Sequence, residues 1–107
     1  MGKPIEVSDL TAETNINKHP VFVLDCHAEW CGPCKMMKPI LDELKHLVGD
    51  TATIIKVDVD KNPAVANQYN VRGVPTLILF KNNEIKWQQS GVVQANFLKE
   101  IIKQHTN

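Results

Sequence analysis

The sequence is poor in cysteine. Its 107 residues include three, an odd number and too few for the disulfide framework of a small secreted protein. Long apolar runs are also missing, so no segment is predicted to span a bilayer, and the opening residues MGKPIEV lack the apolar stretch of a secretory signal. We therefore expect a cytoplasmic protein that has no membrane as a partner.

Neither sign of charge is in excess, since 12 Lys and Arg balance 12 Asp and Glu. Nucleic acid attracts basic surfaces, so this balance argues against nucleic acid as a partner and favours proteins or small molecules. The chain also lacks internal repeats and Gly/Ser-rich linkers. With 43% hydrophobic residues it is long enough for one core and too short for two, so we expect a single domain, residues 1–107, and a monomer.

The spacing of apolar residues predicts alternating strands and helices. Val21–His27 is almost entirely apolar, which is typical of a strand buried on both faces. Apolar residues then recur at helical spacing from just after Cys34 to Gly49, with a kink expected at Pro39. The remaining predicted strands are Ile5–Val7, Thr53–Val57, Thr76–Phe80 and Glu84–Ser90. A tight turn at Asn82–Asn83 joins the last two of them. The remaining predicted helices are roughly Thr11–Ile16, Pro63–Tyr69 and the region of Phe97–Ile102. The sum is a mixed three-layer α/β domain of about five strands and four helices, with helices on both faces of the sheet.

Two of the cysteines, Cys31 and Cys34, form a Cys-x-x-Cys pair at the start of the long predicted helix. The unpaired amides and the dipole of a helix N-terminus stabilise an anion, so the thiolate of Cys31 should be favoured. A thiolate is the species that attacks a disulfide. Cys34 lies one turn further along, where we expect this residue to be less exposed and its sulfur to reach Cys31 and resolve a mixed disulfide.

The segment Trp30–Lys35, WCGPCK, is similar to the active-site motif of the thioredoxins, and the resemblance covers nearly the whole chain. It places Asp25 at the family's buried acid and Lys56 at a lysine near that acid. It also places Val74–Thr76 at a segment whose cis-proline faces the cysteines, and Gly91 at a glycine of the substrate groove. The resemblance implies a thioredoxin fold and the activity of a protein-disulfide reductase.

This resemblance further implies that Cys31 attacks the disulfide of a target protein and that Cys34 then releases the reduced target. Asp25, with a pKa raised by burial, would accept the Cys34 proton directly or through water, and Lys56 would moderate the charge on Asp25. No bound cofactor is expected. The chain would carry electrons in the Cys31–Cys34 pair and be recharged by a thioredoxin reductase that draws on NADPH.

The resemblance also implies a shallow apolar groove, in which backbone groups of Val74 beside Pro75 pair with an extended segment of the substrate. The expected lining residues are Trp30, Gly32, Pro33, Gly73, Val74, Pro75, Gly91 and Val92. Such a groove suits diverse disulfide-containing proteins and gives little sequence selectivity.

The sequence departs from the family after Asp25, where two aromatic residues are usual and Cys26 and His27 stand instead. Strand alternation puts His27 on the same face as Asp25, and the resemblance puts it near Asp60. We predict that His27 hydrogen-bonds to Asp60 and tunes pKa values near the cysteines, so that the redox potential depends more strongly on pH. Cys26 is interpreted as a small buried hydrophobic residue.

Three other functions fit part of this pattern. A zinc site needs four ligands, and the sequence has no second Cys-x-x-Cys and no His pair, so no metal is expected. An oxidase or isomerase of an oxidising compartment usually has His between its cysteines, where Gly32 and Pro33 stand here. A binding module with incidental cysteines would keep its binding when Cys31 and Cys34 are both replaced by Ser.

Overall fold

A mixed sheet forms the middle layer of the protein. The computed structural model describes residues 5–7 and 20–106. Four strands of six or seven residues and one strand of three residues lie in the order β1-β3-β2-β4-β5. Their bounds are β1 Ile5–Val7, β2 Val21–His27, β3 Thr53–Asp58, β4 Thr76–Lys81 and β5 Glu84–Ser90. β3 runs parallel to β1 and β2, while β4 runs antiparallel to β2 and β5, so the sheet is mixed, as predicted.

The central strand β2 is buried on both faces, as its apolar sequence predicted. All of its residues but His27 are buried. Val21 and Val23 pack into the apolar cluster on one face of the sheet, and Phe22 and Leu24 into the cluster on the other. Because every second side chain enters the same layer, Asp25 is carried into the first of these layers with an exposure of 1%.

The first layer is formed by helices α1 (Gly32–Val48) and α3 (Ala95–His105). In α1 the side chains of Met37, Leu41 and Leu44 are fully buried, and their spacing of three and four residues places them on one face of the helix. The short helix α2 (Pro63–Gln68) covers the opposite face of the sheet through Val65. The predicted layers on both faces are therefore present.

Two predicted chain reversals have the expected backbone conformation. Gly49 ends α1 with φ +57°, and its N–H donates to the carbonyl of Lys45 at 2.9 Å. Asn82 and Asn83 turn the chain from β4 into β5 with φ of 53° and 69°, values that asparagine tolerates better than most residues.

The helices differ from the sequence prediction in two respects. The described residues contain three helices, and the fourth predicted helix, roughly residues 11–16, lies outside them. α1 starts at Gly32, ahead of Cys34, because Cys31 caps the helix and Pro33 fits its first turn, where no N–H donor is needed. The helix continues through Pro39. No helix in the described part of the chain is long and apolar enough to cross a membrane.

The packing of α1 predicts unequal effects of two leucine truncations. Leu41→Ala removes a side chain that is 0% exposed, so it should lower the free energy of unfolding by about 2–5 kcal/mol. Leu47→Ala, on the same helix and 41% exposed, is the control and should change it by less than about 0.5 kcal/mol. Urea unfolding of the oxidised protein measures both, and equal losses would contradict this packing.

Candidate active site at the start of helix α1

The two cysteines of the Cys-x-x-Cys pair are joined in a disulfide. The Cα atoms of Cys31 and Cys34 are 5.3 Å apart, within the usual range for a disulfide. The bond forms here because a single helical turn separates the residues, which brings both side chains to the same end of α1.

Cys31 occupies the N-cap position of α1, with φ −87° and ψ 112°. The backbone N–H of Cys34 donates to the Sγ atom of Cys31 at 3.1 Å. After reduction, this amide and the helix dipole stabilise negative charge on that sulfur. The first turn of α1 contains no acidic residue to oppose this effect. The chain therefore places a potential thiolate where an anion is favoured.

Both cysteines are buried, which corrects one sequence prediction. Cys31 is 3% exposed and Cys34 is 8% exposed, so the expectation that Cys34 is the less exposed of the two is wrong. The reason is a contact from a distant part of the chain: the cysteines form a small buried cluster with Ala28, and Val59 and Val74 pack against it. The local helical pattern contains no information about this cover.

The loop before β4 lies directly against Cys31. The Sγ atom of Cys31 is 3.6 Å from the carbonyl oxygen of Val74, and the Val74–Pro75 peptide bond is cis. The hydroxyl of Thr76 donates to the carbonyl of Gly73 at 2.6 Å, and the N–H of Gly91 donates to the carbonyl of Pro75 at 2.8 Å. The structure thus brings Val74, Pro75 and Gly91 together beside the disulfide.

The other residues predicted to line a groove differ in exposure. Gly32, Pro33 and Gly73 are exposed, whereas Gly91 and Val92 are half-buried. Gly91 has φ +97°, a conformation that a residue with a side chain rarely adopts. Val92 packs against the apolar cluster of α1 and α3. Because Gly91 is hydrogen-bonded to the loop that touches Cys31, Gly91 has a defined position relative to the disulfide.

Trp30 is 72% exposed, and its orientation is fixed by a hydrogen bond. Its indole N–H donates to the carboxylate of Asp60 at 2.7 Å. Asp60 is held in turn by Asp58, a buried residue whose carboxylate accepts the backbone N–H groups of Asp60 at 2.8 Å and Lys61 at 3.2 Å. Sequence reasoning missed Asp58, although an Asp at a strand end that accepts the amide two residues later is a known turn signal. The predicted His27–Asp60 hydrogen bond stays a prediction.

A cleft of about 240 Å³ is lined in part by Cys34. Its wall includes the predicted pair Asp25 and Lys56, which are neighbours across β2 and β3 in the register of the sheet. The full set of lining residues is Asp25, His27, Ala28, Glu29, Cys34, Lys35, Lys38 and Lys56. We call this the Asp25 cleft. It brings the buried acid and Cys34 to the same cavity.

Comparison with known proteins agrees with this geometry. The family model for thioredoxin matches residues 3–104. The thioredoxin of Buchnera aphidicola is 35% identical over 100% of both chains, and that of Rickettsia felis is 42% identical over 95% of this chain and 96% of its own. In a mutant thioredoxin from Halobacterium salinarum the solved structure has a TM-score of 0.88 and 37% identity, covering 98% of this chain and 92% of that one.

This chain belongs to the thioredoxin family. It is a thioredoxin-type protein-disulfide reductase, a dithiol/disulfide oxidoreductase that acts on the disulfides of target proteins by thiol–disulfide exchange. Thioredoxins carry no bound cofactor and use a redox-active disulfide, which here joins Cys31 and Cys34. Within the described residues no group of three or more His, Cys, Asp and Glu side chains could hold a metal ion.

The third cysteine of this thioredoxin, Cys26, lies on the opposite face of β2 from Asp25 and is 0% exposed. Burial, and secondarily the charge of Asp25, raise the pKa of the Cys26 thiol from 9.0 to about 12. The folded protein therefore keeps this proton where the unfolded chain loses it. The resulting contribution to stability is complete below about pH 9 and is lost as the pH rises toward 12.

The buried thiol predicts a clear result in alkylation. In the oxidised, folded protein, Cys26 should react with iodoacetamide at less than about a hundredth of the rate seen in urea between about pH 7 and 10, because it is buried and un-ionised. Mass spectrometry of the labelled peptide measures both rates. Similar rates in the folded and unfolded protein would show that the thiol is accessible.

Proposed function

We propose that this protein works in the reducing direction, with Cys31 as the nucleophile and Cys34 as the resolving thiol. One observation carries the assignment: Cys31 caps α1, where the Cys34 amide and the helix dipole stabilise a thiolate, while Cys34 lines the Asp25 cleft. Cys31 is therefore the thiol that attacks a target disulfide. Cys34 has its proton acceptor close by.

The reaction follows from this placement. The Cys31 thiolate attacks one sulfur of the target disulfide, so that a mixed disulfide forms and the second target sulfur leaves as a thiolate. Cys34 then loses its proton and attacks the Cys31 sulfur. The bond between Cys31 and the target breaks, the second target sulfur is released, and the Cys31–Cys34 disulfide is left. Two electrons pass from the protein to the target.

Asp25 is the group that accepts the Cys34 proton, directly or through water in the cleft. Its burial in a core strand disfavours the charged carboxylate and makes it a stronger base than an exposed one. Lys56, half-buried on the neighbouring strand, faces the same cleft and moderates that charge. The buried acid and the lysine together set the proton affinity that resolution requires.

The target lies along the rim formed by Trp30, Gly73, Val74 and Gly91. An extended segment of the target pairs with the backbone of Val74 as an added strand, and its disulfide then lies over Cys31. The surface around this rim leaves space for different target side chains. It consists of the exposed indole of Trp30, the small residues Gly32, Pro33, Gly73 and Gly91, and the residues Pro75 and Val92. This arrangement supports many targets and little selectivity.

The oxidised protein is recharged by a flavoprotein thioredoxin reductase, which takes its electrons from NADPH. The chain acts as a single domain and a monomer in the cytoplasm, where thiols are kept reduced. Gly32 and Pro33 between the cysteines support the reducing direction over that of an oxidase or isomerase. The similarity to bacterial thioredoxins over whole chains supports the same assignment.

Trapping the mixed disulfide tests the two cysteine roles. Cys34→Ser should accumulate a covalent complex with a disulfide-containing target such as insulin, because the resolving step is lost. Cys31→Ser should form no complex, and both variants should lose turnover by at least about a hundredfold. Cys26→Ala is the control and should keep turnover. Non-reducing electrophoresis shows the complex, and a complex formed by Cys31→Ser alone would reverse the assignment.

A further inference from the structure

His27 stands in the wall of the Asp25 cleft, although it has no place in the reaction proposed above. It is the last residue of β2 and is half-buried, whereas Asp25, two residues earlier on the same face, is 1% exposed. Glu29, which follows His27 by two residues and also lines the cleft, is exposed. The chain therefore places an imidazole between a buried carboxyl and solvent.

The buried carboxyl has a proton to dispose of in each cycle. In the proposed reaction Asp25 receives the Cys34 proton during resolution, and passing that proton on to solvent draws the same step forward. Its Oδ1 atom is fully buried. Direct exchange of a proton on this oxygen with bulk water is therefore hindered, and a group at the cleft wall that binds and releases protons would provide a route.

The distance suits such a route. Side chains two residues apart on one face of a strand are separated by about 7 Å, which one water molecule can bridge. The cleft volume of about 240 Å³ has room for more than one water, and polar side chains line it. Imidazole is the side chain that most readily gains and loses a proton near neutral pH.

We propose that His27 is a positioning residue that acts through Asp25. It receives the Asp25 proton through water in the cleft and releases it to solvent. The proposal rests on the assignment of Asp25 as the Cys34 proton acceptor. The proton moves from the Cys34 thiol to the Asp25 carboxylate, then through water to the imidazole, and from the imidazole to bulk water. The electrons move only among the sulfur atoms.

Charged groups from every neighbouring element act on this imidazole. These groups are Asp25 on β2, Glu29 after β2, Asp58 as the partner of His27 in the register of β3, Lys56 on β3, and Lys35 and Lys38 on α1. Proton exchange through His27 is therefore a property of the whole cleft.

The test separates the two chemical steps in single turnover with a peptide disulfide. The first thiol released reports attack by Cys31, and the second reports resolution by Cys34. His27→Gln keeps a polar side chain without a titrating ring. The matched control is His46→Gln, the same change at an exposed position of α1. Both steps are followed between about pH 5 and 8, the range in which histidine titrates.

The proposal expects His27→Gln to slow resolution by at least about tenfold near neutral pH, to flatten its pH profile and to leave the first step unchanged. His46→Gln should match the wild type. Imidazole added to His27→Ala should restore the rate, since the truncated side chain leaves space in the cleft. In an Asp25→Asn background, His27→Gln should have no further effect, because the histidine acts through that carboxyl.

Three results would overturn the proposal. These are an unchanged resolution profile in His27→Gln, equal slowing of both steps, and slowing that persists in the Asp25→Asn background. Urea unfolding of each variant confirms that it is folded. Trapping by Cys34→Ser is independent of His27, so this proposal can fail while the cysteine roles stand; if trapping fails too, the proposed function fails with it.

Discussion

The structure depends on one strand that is buried on both faces and still carries an acid. β2 pairs with β3 on one side and β4 on the other, and its side chains fill the apolar layers above and below the sheet. Its last residues leave the sheet through a short turn that ends at Cys31, the cap of α1. Because strand and helix are both fixed by the core, the disulfide and Asp25 are held in constant relation, and the chemistry of the site follows from that.

The two cysteines of the disulfide have different surroundings, and the proposed order of the reaction depends on this difference. On the outer side, Val74 lies against Cys31, and the loop that bears it is tied to Gly91 and Thr76 by hydrogen bonds. On the inner side, Cys34 opens onto a cleft with charged groups. In the proposed reaction a target meets sulfur and backbone on one side, while Asp25 handles the proton on the other.

The spacing of apolar and turn residues predicted the features that depend on short stretches of chain. β2 begins and ends where its apolar run indicated, β5 has the predicted bounds after the asparagine turn, and both asparagines of that turn have the positive φ expected of them. The cysteine pair was found because its spacing matches one helical turn. Contacts between distant segments were not predictable in this way. Examples are the packing of Val74 over Cys31, the turn made by Asp58 and the position of the lysines in the Asp25 cleft. All three depend on how β3, β4 and α1 pack together, and the spacing of apolar residues does not predict that packing.

The equilibrium redox potential of the Cys31–Cys34 pair tests the central claim most directly. Burial of Cys31 and Cys34 disfavours a thiolate, and among the described residues the start of α1 is the feature that opposes this effect, so the disulfide should be hard to reduce. The fluorescence of Trp30 beside the pair should report its state in dithiothreitol or glutathione buffers. The account predicts a potential more negative than the cytosolic glutathione poise. A potential well above that poise would contradict it and assign the protein to the oxidising direction.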